Sequence, residues 1–150
     1  MARILVVDDE ALVCEALEIL LSRRGHEVTV ANDGLVAVRE NAARPADLAI
    51  VDILMPVKEG LETIRELRRD HPAIRIIAIS GGSLIRDTDF LGMAAKLGAD
   101  LSFRKPVEPK LLLRAVDACL EPQAEPVDVA WPARPERAPA PRPPDLKLID

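Results

Sequence analysis

Residues 3–10 read Arg3-Ile4-Leu5-Val6-Val7-Asp8-Asp9-Glu10, an aliphatic run that stops abruptly on three acids. Four consecutive apolar residues cannot alternate between a wet and a dry face, so the run reads as a strand buried on both sides. A helical pattern follows at once, with apolar residues at three and four spacing from Glu10 to Arg24 and Gly25 where a C′ glycine belongs. The same couplet then recurs. Runs at Glu27 to Ala31, Asp47 to Val51, Arg75 to Ile79 and Leu101 to Arg104 predict further strands, and Gly34 to Ala43, Glu59 to Asp70, Thr88 to Leu97 and Glu108 to Leu120 predict the helices after them. The punctuation agrees: Asp33 and Asp87 stand as N-caps, Pro45 and Pro72 follow the second and third helices, and Gly98 closes the fourth. Strict alternation of buried strand and helix predicts an α/β protein, a (βα)5 doubly wound parallel five-stranded sheet. No internal repeat is visible.

Outward from this core, composition changes near Glu121. Eight of the thirteen prolines fall in residues 121–150, with no glycine among them, so the chain divides into a domain over 1–121 and a Pro/Ala-rich tail over 122–150. Proline denies the tail a helix or a central strand, and an extended or disordered spacer is expected. Trp131, the single tryptophan, and the apolar end Leu146, Leu148 and Ile149 are the features of a docking segment. A docked tail would lie on its own domain or on a dimer mate, so a homodimer is among the expected assemblies.

The 150 residues are 49% hydrophobic and 30% charged, which suits one soluble domain with one core. With Phe90, Phe103 and Trp131 as its aromatic residues, the chain has no stacking platform for single-stranded nucleic acid, and a net charge of -5 opposes binding to nucleic acid or to an anionic membrane. Cys14 and Cys119 are too few and too far apart for a zinc cluster or a disulfide framework; both read as core thiols in a reducing, cytoplasmic compartment. No secretory leader or membrane span is expected at the amino terminus, where four apolar residues precede Asp8.

In an open parallel sheet, ligands bind beyond the carboxyl ends of the strands. Asp8 and Asp9 follow the first run, Asp52 the third, Ser80 with Gly81 and Gly82 the fourth, and Lys105 with Pro106 the fifth. Adjoining carboxylates repel one another unless a cation offsets them. An all-oxygen set of this kind suits a hard ion such as Mg²⁺ (or Mn²⁺), which keeps waters and completes its shell with phosphate oxygen. An ammonium, a hydroxyl and a metal around one carboxylate make a site for a phosphoryl group, with Asp52 as nucleophile. Gly81, lacking Cβ, would let backbone amides approach the anion. Singly, Asp8-Asp9-Glu10 reads as a helix cap, Asp52 as an Asx-turn residue, Lys105 as a solvated lysine and Ser80-Gly81-Gly82 as a turn. Their joint occurrence at four strand ends favours the chemical reading.

These residues carry a resemblance. Ile4 to Glu10, Val51-Asp52-Ile53-Leu54-Met55-Pro56 with Glu59-Gly60, Ile77-Ala78-Ile79-Ser80, Leu97-Gly98-Ala99-Asp100 and Lys105-Pro106 resemble the receiver domain of bacterial two-component response regulators, across residues 1 to about 121. The resemblance implies a flavodoxin-like fold with strand order 2-1-3-4-5. It implies phosphorylation of Asp52 by a histidine kinase or phosphotransfer protein, and Mg²⁺ held by Asp9, Asp52, the main-chain carbonyl of Leu54 and, through water, Asp8. It assigns Ser80 as the switch hydroxyl and Lys105 as the phosphoryl partner, and it implies a cis bond before Pro106. Such a protein is a phosphoacceptor that assists its own phosphotransfer and dephosphorylation rather than an enzyme. A stand-alone, cytoplasmic receiver is expected, signalling to a downstream protein target, with no nucleic acid and no membrane among its partners.

The chain departs from the family pattern in three places. Ser102 stands where an aromatic residue is usual, and Phe103, one place on and so facing the other way, reads as core. About three extra residues lengthen the segment between Ser80 and Lys105, placed in the loop Ser83 to Asp87. Leu54 and Gly82 occupy the positions that tune hydrolysis in relatives, and they leave the lifetime of the phosphorylated state open. Two rivals are weighed. A haloacid dehalogenase-like phosphotransferase needs Asp-x-Asp after the first strand, where this chain has Asp8-Asp9-Glu10. A phosphorylation-independent pseudo-receiver scaffold would not need the intact acid, hydroxyl and lysine set. Nucleotide binding is weaker still, since neither glycine-rich fingerprint occurs.

Overall fold

Each uninterrupted apolar run becomes a strand, and the chain pattern between runs becomes helix. The computed structural model describes residues 1–53, 60–80 and 94–120. The strands are β1 (Arg3–Val7), β2 (Glu27–Ala31), β3 (Leu48–Asp52), β4 (Arg75–Ser80) and β5 (Leu101–Arg104). Helices α1 (Ala11–Arg23), α2 (Gly34–Ala43), α3 (Gly60–Asp70) and α4 (Pro109–Leu120) alternate with them, and residues 94–97 are helical before β5. All pairings are parallel, in the order β2-β1-β3-β4-β5. The expected doubly wound sheet and its order are therefore both observed. β1 pairs with β2 on one side and β3 on the other, Ile4 standing opposite both Val28 and Leu48. The chain reverses its winding between β1 and β3, which opens a crevice at their carboxyl ends.

Period-two alternation splits the sheet into two apolar layers. Leu5, Val7, Ala49, Val51, Ile76 and Ala78 face Ala37 of α2 and Leu61, Ile64 and Leu67 of α3. Ile4, Val6, Leu48, Ile50, Ile77 and Ile79 face Cys14 and Leu21 of α1 and Leu112, Ala115 and Val116 of α4. Phe103 belongs to the second layer, as its position predicts, while Ser102 pairs in register with Ala78 and is half-buried. Each fully buried Leu or Ile contributes roughly 1.5–3 kcal/mol, so this two-layer core is the main source of the fold's stability.

The local signals behave as chemistry requires. Asp33 caps α2 by accepting from the Val36 amide (2.9 Å). Gly25 and Gly98 take the left-handed φ values of +89° and +125° that a side chain resists. Two strand ends differ from expectation by one residue. Asp52 and Ser80 are the last residues of β3 and β4 rather than the first beyond them. Asp52 keeps its register partner Ile79, and the Ile53 amide still donates to Ile79 O (2.9 Å). Leu54, Gly81, Gly82, the loop Ser83 to Asp87, most of the helix expected over Thr88 to Leu97, and the tail with Trp131 lie outside the described residues. Among the described residues no helix is long and apolar enough to cross a membrane.

Candidate functional site

The crevice between β1 and β3 collects the acids. Past the end of β1, the Asp8 amide still donates to Ala31 O of β2 (3.1 Å), which extends the ladder and fixes Asp8 at the rim of the sheet. Its Oδ1 accepts from the Glu10 amide (2.9 Å). The N-cap of α1 is Glu10, whose side chain makes no capping bond, so the helix-cap reading of this acidic triplet does not account for the Glu10 carboxylate. Asp52, the last residue of β3, is buried alongside Asp8, whereas Asp9 is exposed. One carboxylate oxygen from each of Asp8, Asp9 and Asp52 lies within 4.8 Å of the others.

Lys105 crosses from the end of β5 to meet them. Its Nζ donates to Asp8 Oδ2 (3.1 Å), Glu10 Oε1 (3.2 Å) and Asp52 Oδ2 (3.3 Å). The Lys105 amide donates to Ser80 O (2.8 Å), which continues the β4 and β5 ladder and aims the side chain across the crevice. Burial alone would lower the lysine pKa, but the hydrogen bond to Asp8 and the charges of Asp52 and Asp8 outweigh it and hold the ammonium above its ordinary range. The Lys105–Pro106 peptide is cis. Ser80 is fully buried, one residue beyond the register partner of Asp52 on the adjacent strand. Cys14 Sγ donates to Asp8 O (3.2 Å); burial, then the Asp8 charge, pushes its thiol up to about 11, so it stays protonated and unreactive at neutral pH.

The donor set fits a divalent hard cation. Opposed ligands of an ion with bonds near 2.1 Å stand about 4.2 Å apart, which the three carboxylates can meet with little adjustment. Among the described residues, four acids, Asp8, Asp9, Glu10 and Asp52, gather around one lysine, a charge balance that a divalent cation would offset. Of the residues singled out in the sequence, Asp8, Asp9, Asp52, Ser80 and Lys105 come together at one edge of the sheet. Leu54 and Gly81, named for their main-chain groups, fall outside the described residues.

Two contacts here were not foreseen. Glu10 joins the cluster through Lys105, although its position at a helix start suggested only a cap. Gly60, at the start of α3, packs so closely on the main chain of Asp52 and Ile53 that a Cβ would collide with the Asp52 carbonyl. Its sequence signal was a glycine at a helix start, where Ser, Thr, Asp or Asn is the better choice for capping.

Comparisons with known proteins agree with this geometry. Residues 4–117 match the family model described as "Response regulator receiver domain". The "DNA-binding response regulator MtrA" of Mycobacterium tuberculosis is 38% identical over 121 residues, covering 79% of this chain and 50% of that protein. The chain thus spans about half the length of the curated relatives it matches. A response regulator receiver domain protein from Clostridium thermocellum superposes with a TM-score of 0.75 at 30% identity, covering 82% of this chain and 97% of that one. A response regulator from Burkholderia pseudomallei, crystallised with a phosphorylated aspartic acid, a calcium ion and citrate, gives 0.71 at 28% identity, covering 82% and 71%.

Proposed function

Because the chain belongs to the response regulator receiver domain family, we propose that Asp52 is its phosphoacceptor, charged by the phosphohistidine of a histidine kinase or phosphotransfer protein. The observation that carries this reading is the meeting of Lys105 and the acids of β1 at the one buried carboxylate of β3. An Asp52 oxygen attacks phosphorus in line, the P–N bond to the donor imidazole breaks, and its electron pair stays on the ring nitrogen, which takes a proton from solvent. The product is an acyl phosphate, and nothing is oxidised or reduced.

A bound Mg²⁺ or Mn²⁺, held by Asp9, Asp52, the Leu54 carbonyl and, through water, Asp8, would neutralise charge developing on the phosphoryl oxygens. Lys105 pairs with one of those oxygens, Ser80 donates its hydroxyl to another, and the Gly81 amide supports the third. The Burkholderia pseudomallei structure, in which a phosphorylated aspartic acid and a divalent ion occur together, supports the pairing of these roles. Receivers are not enzymes in the ordinary sense. This one assists its own phosphorylation and, with water as acceptor, its own dephosphorylation.

Output through contact with a downstream protein, in the cytoplasm, suits a surface with a net charge of -5 better than contact with nucleic acid phosphates. DNA binding is named for MtrA, a protein about twice the length of the matched segment. Incubation with a phosphohistidine protein or a small phosphodonor tests the central claim. Label on the parent should require Mg²⁺, resist acid, and be lost in base or hydroxylamine, and Asp52→Asn should abolish it. A mutant that labels as fast as the parent refutes the site. A parent that takes no label from any donor supports the scaffold alternative.

A further inference from the structure

Glu10 is the member of the cluster to which the function above gives no task. It sits at the N-cap of α1 without capping it, although a helix N-terminus attracts a carboxylate. Its side chain, 60% exposed, reaches instead to Lys105, whose other two carboxylate partners, Asp8 and Asp52, are each 4% exposed. An ammonium has three N–H donors, and three carboxylates already engage them.

Taking Asp52 as the phosphoacceptor, we propose that Glu10 is a positioning residue for Lys105, which holds the ammonium in the unphosphorylated protein and competes with the incoming phosphoryl group for it. Phosphorylation turns the Asp52 carboxylate into an acyl phosphate whose oxygens stand farther out than the carboxylate oxygen now bonded. Nζ must shift to reach them, and its present contacts cannot all persist. Asp8 is buried and tied to the Glu10 amide, and Asp52, also buried, is the residue that receives the phosphoryl group in this reading. Glu10 is the partner whose release costs least, because water replaces the lysine at once. Its charge also repels the phosphoryl group, which carries close to two negative charges at neutral pH. Glu10 therefore opposes the active state while keeping Lys105 at hand.

Two variants separate the pair from the charge. Glu10→Gln keeps the length and removes the charge; Glu10→Asp keeps the charge and is one methylene too short to reach Nζ. Binding of beryllofluoride, a phosphoryl mimic, is measured by calorimetry at saturating Mg²⁺, and the Lys105 side-chain resonances are followed by NMR in metal-free protein. Both variants should shift the Lys105 signals and bind the mimic tighter, Glu10→Gln by roughly two- to fivefold, the range of an exposed ion pair, and Glu10→Asp by less because its charge still repels the phosphoryl group. Unshifted Lys105 signals, or affinities equal to the parent's, would overturn the proposal while leaving Asp52 as acceptor. A tenfold loss of Mg²⁺ affinity in Glu10→Gln would also overturn it, by making Glu10 part of the cation site. A parent that binds no mimic would sink the Asp52 reading and the competition with it, and the parent's own behaviour distinguishes that failure from the others.

Discussion

The two ends of the sheet each hold buried acid and base, yet they are built on opposite plans. At the amino end Asp100, buried before β5, accepts from the Ile76 amide (2.9 Å) and Arg68 Nη2 (3.2 Å) through Oδ2, and from Arg75 Nη1 (3.4 Å) through Oδ1. Arg68, in the last turn of α3, also donates to the carbonyls of Pro72 (2.7 Å), Ile74 (2.6 Å) and Gly98 (2.6 Å). One carboxylate meets two guanidiniums, whose planar forks lock the geometry. At the carboxyl end the ratio among the described residues inverts, with four carboxylates and one flexible ammonium. The first cluster is complete and joins α3, β4 and β5. The second, among the described residues, holds more acid than base, the imbalance that the proposed cation would offset.

The largest test applies the same substitution to both ends. Asp100→Asn leaves two partly buried guanidiniums without their counter-charge and should cost about 3 kcal/mol of stability. Asp52→Asn removes one of several like charges, and Lys105 keeps Asp8 and Glu10, so metal-free stability should hold or rise. In the parent, Mg²⁺ at a hundredfold excess over its dissociation constant should add about 2.7 kcal/mol, and in Asp52→Asn much less. Urea unfolding with and without Mg²⁺ measures all three. Equal losses in the two metal-free variants would erase the distinction between the clusters.

A glycine packs against each cluster and offers a sharper contrast. Gly60→Ala drives a methyl into the main chain of Asp52 and Ile53, which cannot swing aside, and should cost about 2 kcal/mol. At Gly98 a Cβ would stand 2.8 Å from Arg68 Nε, a side chain that can move, but φ of +125° adds strain of roughly 1–2 kcal/mol. Both variants should unfold earlier. Only Gly60→Ala should also slow Mg²⁺-dependent labelling, because it displaces the end of β3. Labelling slowed equally by Gly98→Ala would show that the two ends are coupled.

The asymmetry between the ends also explains what could be read from sequence. Strands, helix stops and the Asp33 cap were legible because each is written in neighbouring residues: apolar runs, spacing, a cap three residues before the amide it binds. The carboxyl-end site was legible because its residues follow strand ends, and topology gathers strand ends. Strand order came from family resemblance, since local pattern does not say which strands pair. The Arg68–Asp100 clamp was not legible, for its partners lie 32 residues apart and an arginine in a helix's last turn looks solvated. The Gly60 contact and the turn of Glu10 toward Lys105 depend on how α3 and α1 dock on the sheet. The one-residue extension of β3 and β4 depends on the β3–β4 register.

The smallest expected effect is at the amino end and concerns pH. His26 Nδ1 accepts from the Ala2 amide (3.1 Å), a bond that protonation of that nitrogen would break. Burial, reinforced by the amino-terminal charge and Arg24 and opposed by Asp117, lowers its pKa below the ordinary 6.5. The unfolded chain therefore binds the proton first. Stability from this source is whole above about pH 6.5 and declines as the pH falls through that value toward the lower folded pKa. In His26→Asn the decline should be shallower between pH 7.5 and 5.5, with the two proteins compared by urea midpoint in metal-free buffer. Substitution at the amino end should leave the carboxyl end alone, so the dependence of labelling on Mg²⁺ should match the parent's. Identical pH slopes would mean that the Ala2 bond is made as readily by water and that His26 contributes nothing to the pH dependence of that end.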